Sequence, residues 1–244
     1  MLSKELSVVV QGAIDKENTS KCLKSIRRYL PESEIILSTW ESSELKNLKF
    51  DKIILNKDPG AFYFDVNYNK LNNINRMLLS SKKGILNATK PYVLRIRSDL
   101  ILKNDNILKL EDKLSLRMKK FSIFKQRIFS YEIFSIKYDK NNNKYQRMLF
   151  HISDWCHFGL KEDLEELFNI PLVKEPEFSR YFENNHKMIL DDIHRERLWK
   201  MSPEQYISSM NAKKIIKNFQ FNTYLDINDR NIEISENFII NNFI

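Results

Sequence analysis

Apolar residues recur along this chain in two rhythms. Short runs rich in β-branched residues, LSVVVQG (6–12), SEIILSTW (33–40) and DKIILN (51–56), predict strands, and YVLRIRSDL (92–100) predicts a fourth. Between them the spacing lengthens. Asp15 stands where a helix cap belongs, and Cys22, Leu23, Ile26 and Leu30 follow at helical intervals until Pro31 stops the run. A second helix, predicted over 69–88, sets Leu71, Ile74, Met77, Leu78 and Ile85 on an apolar side and Asn69, Asn73, Arg76 and Ser80 along a polar stripe. Asp58-Pro59-Gly60 ahead of it is turn chemistry, and Lys90-Pro91 breaks it. The order strand, helix, strand, strand, helix, strand predicts an α/β sheet built from parallel crossovers.

The second half is less regular. Residues 121–139 alternate well enough for one or two strands joined near 129–131, and KNNNK (140–144) reads as a polar loop. HISDWCHFGLKEDLEELF (151–168) reads as a loop running into a helix over 161–168, and 171–187 as loop. In SPEQYISSMNAKKIIKNF (202–219), Ser202 is placed to cap a helix, with Pro203 at its first position and Glu204 in its first turn. The last 25 residues predict one or two weak strands. Only four glycines and six prolines are present, which leaves no flexible linker and no visible domain boundary.

Several polar groups fall where such a sheet would bind ligands. Alternation along the fourth strand puts Val93, Arg95, Arg97 and Asp99 on one face, with Tyr92, Leu94, Ile96 and Ser98 on an apolar, inward one. Open α/β sheets bind ligands beyond the carboxyl ends of their strands, where Arg97, Ser98 and Asp99 would lie. A carboxylate there can hold a divalent cation, and an arginine can neutralise phosphate charge; a plain Arg–Asp pair on a sheet edge explains the same residues. Gln11-Gly12 ends the first strand, where glycine lets backbone approach a ligand or simply ends the strand. Asn73, Arg76 and Ser80 can converge on the same edge, or form a solvated helix face. Asp154, Trp155 and His157 bring a carboxylate, an indole and an imidazole within a few residues, suited to sugars and to proton transfer; His157 also fits a buried core position. Glu204 is either a helix-capping acid or a base. Asp191, Asp192 and His194 superficially suggest a metal site but lack a spaced third ligand, and read as a solvated acidic pair. Neither GxGxxG nor GxxxxGK[ST] occurs, which disfavours a Rossmann dinucleotide site and a P-loop.

Hydrophobic residues at 42% and charged residues at 30% fit a soluble globular protein. A net charge of +8 suits an anionic partner, whether nucleic acid, a phosphate-bearing substrate or an acidic membrane face, without choosing among them. Cys22 and Cys156 stand far apart with no zinc spacing, as expected of a reduced cytoplasmic protein. The apolar stretch at the start is too short for a signal peptide, and no run reaches membrane-spanning length, so membrane contact is expected to be peripheral.

In series, SVVVQG (7–12), SIRRYLPESEIILSTWE (25–41), DPG (58–60), NINRMLLSSKKGI (73–85), YVLRIRSDL (92–100), SDWCHFG (153–159) and PEQYI (203–207) resemble the WavE lipopolysaccharide-synthesis family. The residues after 207 lie outside that resemblance. It implies a GT-A-like glycosyltransferase fold, a Rossmann-like mixed sheet flanked by helices, in a single domain over 1–244. Residues 1–102 would form the nucleotide-sugar half and 103–244 the acceptor half. The implied reaction moves a sugar from a nucleotide-sugar to a glycan or lipid-linked glycan of the bacterial surface, lipopolysaccharide or capsule. The implied setting is the cytoplasm, at the inner face of the inner membrane. Donor contacts would come from Gln11, Asp58, Gly60, Asn73, Arg76, Ser80 and Arg97, and acceptor contacts from Trp155 and His157. Glu204 or Asp154 would be the base if the anomeric centre inverts. Asp99 would hold Mn or Mg. In such folds an Asp-x-Asp arrangement is usual, whereas Arg97-Ser98-Asp99 stands here, so either Asp99 holds the metal nearly alone or Arg97 takes over part of its charge-neutralising work. The competing readings are a basic nucleic-acid-binding module, against which no RRM, KH or helix-turn-helix pattern appears, and a degenerate transferase kept as a scaffold.

Overall fold

The protein is described by a computed structural model covering residues 1–65, 69–114, 116–141, 144–183 and 197–244. Asp191, Asp192 and His194 lie outside the described residues. In chain order the elements are β1 (Leu6–Gln11), α1 (Lys16–Tyr29), β2 (Glu34–Trp40), β3 (Lys52–Asn56), β4 (Phe62–Tyr63), β5 (Leu71–Asn72), α2 (Ile74–Leu86), β6 (Tyr92–Arg97), β7 (Phe129–Ser130), β8 (Tyr138–Asn141), β9 (Lys144–Arg147), β10 (Cys156–Leu160), α3 (Lys161–Phe168), α4 (Pro203–Ile215) and α5 (Asp229–Asn242).

Six strands form a mixed sheet in the order β3-β2-β1-β6-β10-β7. The first four are parallel, and β10 and β7 add an antiparallel edge from the second half of the chain. This is the expected Rossmann-like mixed sheet flanked by helices. Parallel strands covered on both faces are apolar on both faces. Val8, Val10, Ile35, Leu37, Leu94 and Ile96 pack with Cys22, Leu23, Ile26 and Leu30 of α1. Val9, Ile36 and Val93 point the other way, into a larger core with residues from α2, α3, α4 and α5. The fourth strand therefore has no open charged face. Arg95 is 0% exposed, inside the larger core, and only Arg97 emerges at the strand's end.

Local signals place several elements. Asp15 caps α1 by accepting a hydrogen bond from the Asn18 N–H, and Ser202 and Gln205 form a capping box at α4. Helix α2 starts at Ile74 rather than at 69, because β5 pairs with β4 in a hairpin and the Asn72 side chain accepts from the Ile74 N–H. Leu71 is consequently exposed, and Ser80, expected on a polar stripe, is buried. Strand β10 takes the place of an expected loop, where β6 offers an unpaired edge. Of the expected loop KNNNK, Lys140 and Asn141 belong to β8 and Lys144 to β9 of an antiparallel pair, and Asn142 and Asn143 lie outside the described residues. Within the last 25 residues, Asp229–Asn242 form a helix where strands were expected. Asn228 caps α5, and Asn231, Ile234, Ser235, Phe238, Asn241 and Asn242 bury one helical face. Its β-branched isoleucines weaken helix propensity, and packing overrides them.

Gly84 lets α2 lie close on the sheet: a Cβ there would collide with Val9 Cγ1 and come within 3.2 Å of Ser38 Cβ. Gly84→Ala is expected to destabilise the fold by about 1–3 kcal/mol through overpacking. A thermal melt showing an unchanged or raised Tm would contradict this packing.

Candidate functional site

A cavity of about 460 Å³ opens beyond the carboxyl ends of β1, β2 and β6. Gln11 and Gly12 form part of its wall, with Trp40 from β2 and Arg97, Ser98 and Asp99 from the turn after β6. Three helices begin at it: Asp15 caps α1, Asn73 precedes α2, and Pro203 opens α4. Helix N-termini carry partial positive charge and free N–H groups, so their convergence favours an anion.

Two guanidinium groups add to that field, each held by a carboxylate. Arg97 donates to Asp99 through Nε (3.1 Å) and Nη2 (2.6 Å). Its other side lies over the Trp155 ring at 4.9 Å, and that ring packs on Phe134. Arg76 donates to Asp58 through Nε (2.7 Å) and Nη2 (2.6 Å), and to the Asn73 side chain at 2.9 Å. The Gly60 N–H also donates to Asp58, in a turn where Gly60 takes φ +82°. The Arg76 guanidinium holds the Asp58 carboxyl below its ordinary value. Gln11 is anchored from behind, its side-chain carbonyl accepting from the Ser80 hydroxyl at 2.7 Å. The Ser98 N–H donates to the Gln11 carbonyl at 2.9 Å, and its hydroxyl donates to the Ala13 carbonyl at 2.6 Å, so the β1 and β6 turns are tied together.

Asp154 brings a carboxylate to the same cavity. Burial, and next the neighbouring Glu204, push its carboxyl up to about 6, against the opposing pull of Arg95, Arg97 and His151. Glu204 does not line the cavity. It is buried beside it, its carboxyl raised by burial, with His151 Nε2 at 3.8 Å. His151 accepts no charge at neutral pH, since burial lowers it to about 4 while its Nδ1 meets the Phe134 carbonyl at 2.9 Å.

Gln11, Asn73, Arg76, Arg97, Asp99 and Asp154 thus line one cavity. Asp58, Gly60 and Ser80 act one layer back, on Arg76 and Gln11. Trp155 braces Arg97 rather than lining the cavity. His157 is a correction: it is 1% exposed in β10, edge-on to Phe168, where it cannot meet an acceptor. Asp15, expected only as a helix cap, and Trp40 also line the cavity. Trp40's position at the carboxyl end of the strand beside Gln11 was the available signal.

The WavE lipopolysaccharide synthesis profile matches residues 6–244. The chain belongs to the WavE family. Membership gives it a role in lipopolysaccharide synthesis, and the match extends through the residues after 207. No curated protein matches the chain. Among solved structures, this WavE chain is similar to a cytidylyltransferase from Leptospira borgpetersenii serovar Hardjo-bovis (strain JB197), with 14% identity, a TM-score of 0.37, and coverage of 96% of this chain and 97% of that one. Among the described residues, no helix is long and apolar enough to cross a membrane.

For the divalent cation that the resemblance implies, Asp99 is the carboxylate at the strand end that would hold it, and it is already paired with Arg97. Both oxygens of Asp99 are occupied by Arg97, and among the described residues no three His, Cys, Asp or Glu side chains are grouped to hold an ion. Guanidinium groups and helix ends bring positive charge to the cavity.

A carboxyl raised by burial makes the ionised form costly to the fold. That cost is absent below the ordinary value of 3.8, grows as pH rises, and is complete above about 6. Asp154→Asn is therefore expected to raise stability at pH 7.5 by on the order of 1–3 kcal/mol, with the gain fading towards pH 4. Melts across that range check it, and a destabilised Asn variant at pH 7.5 would contradict it.

Proposed function

We propose that this WavE chain is a glycosyltransferase that moves a sugar from a nucleotide-sugar to a glycan or lipid-linked glycan acceptor in lipopolysaccharide or capsule assembly. The observation that carries the reading is a single cavity containing two guanidinium groups, three helix N-termini and a half-buried carboxylate with a raised pKa. The first two suit a diphosphate. The third suits a base working near neutral pH.

In this reaction the acceptor hydroxyl oxygen attacks the anomeric carbon while the bond from that carbon to the diphosphate oxygen breaks. Asp154 takes the hydroxyl proton, and the nucleoside diphosphate leaves with the bonding electron pair. Arg97 and Arg76 meet the negative charge growing on the leaving group. Gln11 and the β1 turn orient the donor, and Trp40 offers an aromatic surface to its base. Glu204 acts through Asp154, keeping its proton affinity high. With a lipid-linked acceptor the expected setting is the cytoplasmic face of the inner membrane, with peripheral contact.

Calorimetry with UDP-, GDP- and CMP-linked sugars, with EDTA and with Mn or Mg, tests the donor reading. One donor class is expected to bind, with its affinity retained in EDTA and weakened about 10- to 100-fold by Arg97→Met, as loss of a charge-assisted pair implies. Binding to no donor, together with salt-sensitive binding to nucleic acid, would favour the nucleic-acid-binding module. Donor binding that depends wholly on the cation would restore Asp99 as its ligand.

Turnover should rise with pH through about 6 as Asp154 loses its proton. Asp154→Asn is expected to lower kcat about 100- to 10,000-fold with donor affinity kept. Glu204→Gln should move the acidic limb of the pH profile downward, because a neighbouring negative charge is removed. Undiminished turnover in Asp154→Asn would eliminate it as the base, and donor binding without turnover in the unmodified protein would favour the scaffold.

A further inference from the structure

Arg95 is the largest fully buried side chain among the described residues. A buried guanidinium is ordinarily paired with a carboxylate, because its charge is expensive to remove from water. No carboxylate pairs with it among the described residues. Instead its Nε donates to the Ser81 hydroxyl at 2.9 Å, its Nη1 donates to the backbone carbonyl of Asp154, and its plane lies over the Phe168 ring at 5.4 Å. Its Nη2 is buried with no hydrogen-bond partner, as is Nδ1 of His157, its neighbour across the β6–β10 ladder. A core position needing only volume would be served by leucine or methionine at lower cost.

One of these contacts reaches the cavity: the bond to the Asp154 backbone carbonyl. We propose that Arg95 is a positioning residue for Asp154, fixing the backbone of the proposed base and holding a permanent positive charge behind its carboxylate. This deepens the reading of Asp154 as base and rests on it. Arg97 also faces Asp154, but Arg97 lies at the cavity and would turn to the donor's phosphates. Arg95 cannot reach solvent or substrate, so its charge acts in every state of the reaction. The groups that bear on Asp154 are Glu204 from α4, Arg95 and Arg97 from β6, and His151 from its own segment. Of the three opposing burial and Glu204, His151 is neutral and Arg97 is shared with ligand, which leaves Arg95 as the constant one.

The test is the titration of Asp154 in [13C]aspartate-labelled protein, assigned by its loss in Asp154→Asn, alongside the pH profile of transfer. Arg95→Met keeps the volume and removes the charge. The Asp154 titration should move upward by about one unit or more, and the acidic limb of kcat/KM should move with it. The loss of transfer at pH 7 should recover at higher pH, while donor affinity changes less than about twofold. Arg95→Lys retains charge but not the reach to the Asp154 carbonyl, so it should leave the titration near that of the unmodified protein and lower kcat. A folded Arg95→Met protein with an unmoved Asp154 titration overturns the proposal. If Arg95→Met does not fold, Arg95→Lys decides, and an unmoved kcat overturns it. Failure of the base reading looks different: Asp154→Asn would keep its turnover whatever the titration in the Arg95 variants.

Discussion

The parallel pairing of β1 with β6 is the constraint on which the site depends. Its register sets Gln11 beside Arg97, and the hydrogen bond from the Ser98 N–H to the Gln11 carbonyl extends the pairing past the last strand residue. Both chain turns at the cavity are thereby fixed to one ladder. Gly12, at φ +120°, allows the first turn, and a Cβ there would come within 3.3 Å of Ser98 Oγ. What lines the cavity is held by backbone geometry that neither turn could keep alone.

Around that ladder, charge is arranged in pairs that fix direction. Arg97 and Arg76 are each gripped by a carboxylate, Asp99 and Asp58, so their guanidinium planes are oriented before any ligand arrives. Both pairs are partly exposed, and such pairs add little to stability. Their value lies in preorganisation: a cation already aimed needs less ordering when an anion binds. Asp154 is the converse, a charge that the fold destabilises.

Much of this was legible in the sequence because the signals were local. Asp15 and Ser202 caps, the apolar runs of β1 and β2, and the carboxyl-end position of Arg97 depend on a few neighbouring residues. What was not legible depended on distant partners. Strand β10 exists because β6 presents an edge, and α5 because Phe238 and Phe243 enter the core against Phe124 and Phe150. Alternation put Arg95 and Arg97 on one face but carried no information on depth, which is set by α2 and α3 lying over the first and stopping short of the second. The same ambiguity covered His157, whose spacing beside Asp154 suggested a shared site until the sheet separated them.

Strand β10 has one more consequence. It hydrogen-bonds along β6 with His157 opposite Arg95, the Arg97 N–H donates to the Trp155 carbonyl just before the strand, and Asp154 precedes that residue, so the carboxylate and Arg97 are placed by one sheet. In a protein whose two halves met only across a cleft, bringing those groups together would require a hinge to close. Here their spacing is a property of the folded sheet itself. Variation in what the cavity accepts can then accumulate in the turns and helix ends around it while the distance between these two groups stays constant.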